Sequence, residues 1–408
     1  MSRAGHVLAL NTGSSSLKYG LYRVEGDMCE ALFADQTDAP GGDADPVAAI
    51  VDALRTRSLP TPDAVGHRLV HGGPNIRRHA RIDDALMAHL EEAKAFAPLH
   101  VPPAVEMVKR ARKAFPDAPQ VACFDTAFHA SMPAVARALP LPADLREGGI
   151  ERYGFHGLSY ESIVRKLGPS MPLRVVIAHL GNGASLCAVR DGESVDTTMG
   201  LTPTGGIVMG TRPGDLDPGV LLYLMRERAY DAKRLELLVD RESGLKGLSG
   251  GISDMRKLRE SHDAAAKLAR DVFVHVARKH VAAMVASLGG LDLLVFTGGI
   301  GENDAATRDA ILAGLQWFGD FEVRVMATEE DEQIARHTKQ DAGSRRSCCS
   351  RLKQMSRAGR APTGRRQTTT TGRDAILAGL QWFGDFEVRV VATEEDEQIA
   401  RHTWRLAS

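Results

Sequence analysis

VLALNTGSSSLKYGLY (residues 7–22) and VVIAHLGNGASLCAVRDG (residues 175–192) share one design. An apolar run reaches a glycine-bearing turn, Thr12–Ser16 in the first and Leu180–Gly183 in the second. A second apolar run follows, Leu17–Val24 and Ala184–Val189. Runs of this kind bounded by turn residues read as strands. In the second passage another turn, Arg190–Gly192, leads to a further strand. The echo predicts a duplicated α/β domain.

Helical periodicity fills the space between and after the two passages. Asp83–Ala97 places Leu86, Leu90, Ala93 and Ala97 on one face. Pro102 and Pro103 open a helix carrying Val105, Val108 and Arg112. Asp263–Leu288 repeats apolar residues from Phe273 to Leu288, and Gly289 and Gly290 end it. The apolar run Leu291–Phe296 then enters the glycine segment TGGIGEN, residues 297–303. Strands and helices mixed in this way make an α/β protein.

With 408 residues, 43% of them hydrophobic, the chain can bury two or three domain cores. A net charge of −1 does not favour nucleic acid or an anionic membrane as partner. No apolar run suffices to span a bilayer, and Met1–Asn11 lacks a secretory h-region, so a cytoplasmic location is expected. The five cysteines are too few for a disulfide scaffold. Cys29, Cys123 and Cys187 read as small buried apolar residues, and the adjacent Cys348 and Cys349 lack zinc-ligand spacing.

The end of the chain is unusual. Residues 308–338 recur at 373–403 with the single change of Met326 to Val391. Between the copies, residues 339–372 hold nine Lys/Arg and one Asp, a composition that reads as a basic disordered spacer. It contains MSRAG (residues 355–359), which repeats the first five residues. The expected organisation is an N-terminal α/β domain at 1–148 and a C-terminal nucleotide-binding domain at 149–338. The spacer and the second copy follow.

Four glycine-containing segments, 11–16, 179–183, 205–214 and 298–303, adjoin strands. Glycine lets backbone N–H groups approach phosphate oxygens closely, and several such turns with polar neighbours favour a nucleotide cleft. The chain has no GxxxxGK[ST] loop and no GxGxxG followed by a distant acid. Arg68 in GHRLVHGG and Arg212 in MGTRPGD offer planar donor forks suited to phosphate or carboxylate. His67 and His71 are four apart, but Gly72 and Gly73 argue against the helix that HxxxH metal binding requires. His156 and His179 are neutral-pH donors beside glycine, and Asp125 follows an apolar run as a strand-end carboxylate would.

These passages resemble the acetate kinase family. VLALNTGSSSLKYGLY and VVIAHLGNGASLCAV are similar to its two signatures. GHRLVHGG, APLH, FDTAFH, YGFHG, TMGLTPTGG, MGTRPGDLDPG, SGGISDMR and FTGGIGEN are similar to further family blocks, in family order. The resemblance covers residues 6 to about 318. It implies a duplicated actin-like, ribonuclease-H-like two-domain kinase fold with an interdomain cleft. It also implies a cytoplasmic homodimer using Mg²⁺, ATP and acetate, with acetyl phosphate and ADP as products. A propionate or butyrate kinase of the same family and a catalytically impaired ATP-binding remnant are the alternatives.

The resemblance also implies roles. Asp125, His156 and Arg212 match catalytic positions. Arg68 matches the carboxylate-binding arginine, and Val70, Leu99, Phe155 and Pro203 match the pocket for the acetate methyl. Lys18 matches an ATP-contacting lysine. The nucleotide segments match His179, Leu180, Gly181, Asn182 and Gly183; Asp254, Met255 and Arg256; and Gly298, Gly299, Ile300, Gly301 and Glu302. Asn11 and Glu330 match the metal corner, and Glu395 is the twin of Glu330 in the second copy; the shorter connection favours Glu330. The chain departs from the family in two respects. An excursion expected after Gly319 is missing, which predicts exposed core surface there. Val101 and Leu158 stand where many family members carry polar residues.

Overall fold

The computed structural model describes residues 4–13, 16–38, 45–97 and 101–342, all within one compact unit. Leu99, Glu395, Cys348, Cys349, residues 343–372 and the second copy lie outside the described residues.

Strands β1 (Gly5–Thr12), β2 (Ser16–Glu25) and β3 (Met28–Asp38) form an antiparallel meander. To β1 is added β4 (Ala64–Leu69) in parallel, then β6 (Gln120–Phe124) in parallel, with the two-residue β5 (Ala80–Arg81) at the edge. The sheet order is β3-β2-β1-β4-β6-β5. The second sheet repeats the plan. Strands β7 (Arg174–Leu180), β8 (Ala184–Arg190) and β9 (Glu193–Thr197) form the meander. β10 (Leu293–Thr297) and β11 (Glu322–Val325) extend it in parallel, giving β11-β10-β7-β8-β9. The internal echo of the sequence is thus a repeated strand order.

Alternation along β1 divides the first lobe into two cores. Leu8 and Leu10 face helices α1 (Pro46–Thr56) and α3 (Val101–Ala114) through Val47, Ile50, Leu54, Met107 and Ala111. Val7 and Ala9, with Val121 and Cys123 of β6, face Leu158 of α4 (Gly157–Leu167) and Ile334 and Ala335 of the last described helix. Leu158 and Val101 are fully buried. The remaining helices used below are α2 (Asp84–Ala93), α5 (Pro218–Arg228), α6 (Ala264–Leu288), α7 (Gly298–Asn303), α8 (Ala305–Leu312) and α9 (Glu330–Ala342).

Three local readings need correction. The helix expected over 83–97 is α2, followed by a separate 3₁₀ turn at Lys94–Phe96. Asp83 caps it by accepting from the Leu86 N–H at 2.8 Å. The glycine segment after β10 is a short helix, α7, entered through Gly298 at φ +78°. Cys29 is half-buried, whereas Cys123 and Cys187 are buried.

Sequence order puts residues 330–338 in the second half, yet α9 packs on β1, β4 and β6 of the first sheet. It runs to Ala342, four residues into the stretch whose composition reads as spacer. Gly66 of β4 allows this approach: a Cβ there would lie 2.0 Å from Thr338 Oγ1 and 2.7 Å from Ile334 Cγ2. Where the family excursion is missing, Gly319 at φ +81° leads almost directly into the edge strand β11. Val323, Val325 and Trp317 there are well exposed.

Candidate active site

The parallel strands of both sheets end at one cleft, where α/β folds place ligands. Its volume is about 720 Å³. Asn11 is the penultimate residue of β1, Arg68 the penultimate residue of β4, and Asp125 follows β6 from the first lobe. His179 is the penultimate residue of β7, and Gly298 and Gly299 follow β10 from the second. His156, at the N-cap of α4, lies between the lobes, and Glu330 and Asp331 come from the first turn of α9.

Arg68 and Asp125 form a buried fork-to-fork pair. Arg68 Nε donates to both Asp125 oxygens at 3.0 and 3.2 Å, and Nη2 donates to Oδ2 at 2.7 Å. Burial lifts the Asp125 carboxyl above its ordinary value against the pull of Arg68. The guanidinium overcomes its own burial and is held protonated by Asp125 and Glu330. Nη1 of Arg68 also donates to Asn11 Oδ1 at 3.0 Å. A guanidinium has five N–H donors, so this fork retains capacity for an anionic ligand. Arg212 is tethered differently: Nη1 donates to the Pro203 carbonyl at 3.0 Å. Burial, only partly offset by Asp240, lowers its pKa.

His156 occupies the left-handed region at φ +60°, a strained conformation for a residue with a side chain. Next to it, Gly157 N–H donates to the Asp125 carbonyl at 2.9 Å. A Cβ on Gly157 would stand 2.2 Å from that oxygen, so the backbone of α4 is pressed onto the end of β6. The His156 and His179 rings stack with centroids 4.4 Å apart. Burial keeps both imidazoles neutral, and for His156 the neighbouring His179, Arg68 and Arg212 add to the effect.

The α9 corner carries more acid than expected. Asn11 Nδ2 donates to Asp331 Oδ1 at 2.7 Å and to Glu330 Oε2 at 3.3 Å. Burial works against ionisation of Glu330, but Arg68 and Asn11 hold its carboxyl below the ordinary value. Burial raises Asp331, with Glu330 adding to the rise. Asn11 turns its Nδ2 to these two carboxylates and its Oδ1 to Arg68, so Glu330 and Asp331 are the hard oxygen donors of the corner, which suit a magnesium ion that keeps waters and phosphate oxygens as further ligands.

The cleft brings together Asn11, Lys18, Arg68, Val70, Asp125, Phe155, His156, His179, Gly181, Asn182, Gly183, Pro203, Arg212, Gly298, Gly299, Glu302 and Glu330. Leu180, Ile300, Gly301, Asp254, Met255 and Arg256 are not among the residues lining it. Leu180 is buried beneath. Asp254 caps the helix Met255–Glu260 through the Arg256 N–H at 2.8 Å, and the exposed Arg256 side chain returns to Asp254 at 2.7 Å. Glu302 spends Oε1 on the Gly298 and Thr328 N–H groups at 2.9 and 3.2 Å, tying β10 to the approach of α9. Sequence reasoning missed Asp331, Thr328 and Tyr22. The signal for Asp331 was its place beside Glu330 in an acidic helix start, and Tyr22 gave none.

Glycine-lined strand ends for a polyanion, two arginines and a small apolar recess of Val70, Phe155 and Pro203 define a phosphotransferase cleft between two like lobes. A sequence model of the Acetokinase family matches residues 34–340. The acetate kinase of Nitrobacter hamburgensis is 40% identical over 369 residues, covering 83% of this chain and 90% of that protein. That of Rhodopseudomonas palustris (strain CGA009) is 37% identical and covers 98% of both. The crystal structure of Porphyromonas gingivalis acetate kinase superposes with a TM-score of 0.74 at 32% identity, over 83% of this chain and 99% of that one. A propionate kinase from Francisella tularensis gives 0.74 at 33% identity, over 82% and 99%. The chain belongs to the acetokinase family.

Proposed function

We propose that this chain is an ATP-dependent acetate kinase, transferring the γ-phosphoryl group of ATP to acetate and giving acetyl phosphate and ADP. The observation that carries the reading is the Arg68–Asp125 pair lining one cleft with Arg212, His156 and the apolar Val70, Phe155 and Pro203. Acetate is already an anion near neutral pH, so its attack needs no strong general base. The difficulty is to bring one anion in line with another, and positioning and positive charge meet it. Asp125 orients Arg68, and Arg68 presents its unused donors to the carboxylate. Val70, Phe155 and Pro203 pack the methyl group. Arg212 and the neutral His156 donate to the oxygens of the transferring phosphoryl group. Gly181, Gly183, Gly298 and Gly299 leave room for backbone contact with the nucleotide phosphates.

Glu330 and Asp331 would hold the magnesium ion, with Asn11, which the resemblance put at the metal corner, fixing both carboxylates through its Nδ2. Bound there, it supplies charge neutralisation between the phosphates. Among the described residues Glu330 lines this cleft, which supports its assignment. We also place the enzyme in the cytoplasm as a homodimer. No described helix is long and apolar enough to cross a membrane. Along α5, Val220, Leu222, Tyr223 and Met225 are each about half exposed and no residue of the helix is buried, an apolar surface around the helix suited to a second copy.

The test is acetyl phosphate formation from ATP, Mg²⁺ and acetate, trapped as the hydroxamate, with Arg212→Ala as control. Turnover that disappears in the control supports the reading. A folded, ATP-binding protein without turnover sinks it. Running propionate and butyrate alongside sets the acceptor, because one methylene changes kcat/KM by roughly 10–200-fold.

A further inference from the structure

His156 stands at the end of a chain of buried hydroxyls. Its Nδ1 is 2.8 Å from Ser185 Oγ on β8, and that oxygen is 2.5 Å from the Tyr160 hydroxyl on α4. Tyr160 and Ser185 are fully buried. Each hydroxyl carries one proton, and among the described residues Ser185 is the hydrogen-bond partner found for the Tyr160 hydroxyl. A buried donor left unused is costly, so the phenol donates to Ser185. Ser185 must then direct its own proton to His156 Nδ1, which therefore accepts. The imidazole proton is left on Nε2. That nitrogen faces the cleft, 3.2 Å from where a Cβ on Gly183 would stand and with Arg212 beside it. The opposite order, Nδ1–H to Ser185 and Ser185 to Tyr160, leaves the phenol proton without a partner.

We propose that Tyr160 and Ser185 are positioning residues that hold His156 as an Nε2–H donor aimed at the transferring phosphoryl oxygens. The inference rests on the acetate kinase reading for its consequence, though not for the tautomer itself. A neutral imidazole of the other tautomer would present a lone pair to those oxygens and repel them. The relay excludes that form without charging the ring, which burial, reinforced by the neighbouring arginines, keeps neutral.

The experiment uses the full chain with ¹⁵N-labelled histidine, and a two-bond proton–nitrogen spectrum reports the tautomer of each ring. His156 is assigned by the signal lost in His156→Gln. The wild type is expected to show His156 as the pure Nε2–H form. Tyr160→Phe, which keeps the ring and removes the donor, should give a mixed or Nδ1–H signal. Its kcat should fall about ten-fold with the acetate KM within about two-fold of wild type. Ser185→Ala should give the same spectral change and carries the test if Tyr160→Phe does not fold. An Nδ1–H form in the wild type overturns the proposal. So does a folded variant of either kind that keeps the wild-type tautomer, or a Tyr160→Phe enzyme that changes tautomer and keeps full kcat. A wild type with the Nε2–H form but no acetyl phosphate formation overturns the acetate kinase reading and leaves the relay standing.

Discussion

At the scale of single residues, the site works by holding groups in unfavourable states that burial alone would not allow. Asp125 is fully enclosed and stays paired because Arg68 meets both its oxygens. Asp125→Asn keeps one acceptor and removes the charge, leaving the guanidinium buried without its counterion. The expected result is a fall in kcat/KM of about a hundred-fold or more, shared between kcat and the acetate KM. Steady-state kinetics at saturating ATP check it, and unchanged kcat with weaker acetate binding would remove Asp125 from the transition state. The histidines away from the cleft report on stability. Burial lowers His67, His71 and His129 each to a pKa of about 4, from an ordinary 6.5. Between those values the unfolded chain takes up protons that the native chain refuses. Each of the three therefore costs about 1.4 kcal/mol of stability per pH unit as pH falls from 6.5 towards 4. Urea midpoints measured from pH 7 to 4.5 should drop steeply. Replacing His67 with Gln should flatten the curve, and a flat wild-type curve would contradict the assignment.

At the scale of elements, α9 is the decisive piece, since it carries Glu330 and Asp331 into the cleft. A polar seam along α4 holds it. Arg165 pairs with Glu329 at 2.7 Å, and Lys166 donates to the Ala327 carbonyl at 2.7 Å. Deeper in the seam, Glu161 Oε2 lies 2.5 Å from His337 Nε2, and Glu161 Oε1 lies 3.4 Å from His79 Nε2. The trio has the residue types of a metal site. However, the Phe124 N–H donates to His79 Nδ1 at 3.0 Å, which leaves the ring proton on Nε2, where a metal would have to bind. Glu161 is instead an acceptor shared by two histidines, which joins β6, α4 and α9. Gly66→Ala tests how closely α9 must sit, because its Cβ would meet Thr338 and Ile334. The expected outcome is a rise of about five-fold or more in the Mg²⁺ concentration giving half-maximal rate, since about 1 kcal/mol of displaced carboxylate contact is a five-fold change. Wild-type magnesium dependence in a folded Gly66→Ala protein would show that α9 does not set that corner.

For the whole molecule, two lobes of the same strand order meet at their strand ends, and every described residue lining the cleft falls between Asn11 and Glu332. A chain ending at Ala342 should therefore keep its acetyl phosphate activity within about two-fold, since it retains all of the described lining residues. Loss of turnover on truncation would mean that residues 343–408 complete the enzyme. The exposed face of α5 makes a separate prediction. Leu222→Glu places a charge on the exposed apolar helix proposed to bury against a second copy. Sedimentation should show the variant as a monomer where the parent is a dimer, and a variant dimer would place the interface elsewhere.

The strand–turn–strand passages, the long helix α6 and the cleft residues next to glycines were legible in the sequence. Each is a local pattern in which period, turn chemistry and residue type agree. The acidic start of α9 was legible too, but its destination was not. Nothing local tells a helix at the end of the chain that its Ile334 will bury against Val7 and Val121 of the first sheet. The same holds for the Tyr160–Ser185–His156 relay, which needs α4 and β8 to meet. The amino-acid order by itself determined the elements and the chemical groups, because periodicity and turn geometry act over a few residues. Only the tertiary structure decided which groups face one another, because hydrogen-bond direction, burial and the charge state of a buried pair depend on neighbours distant in the chain.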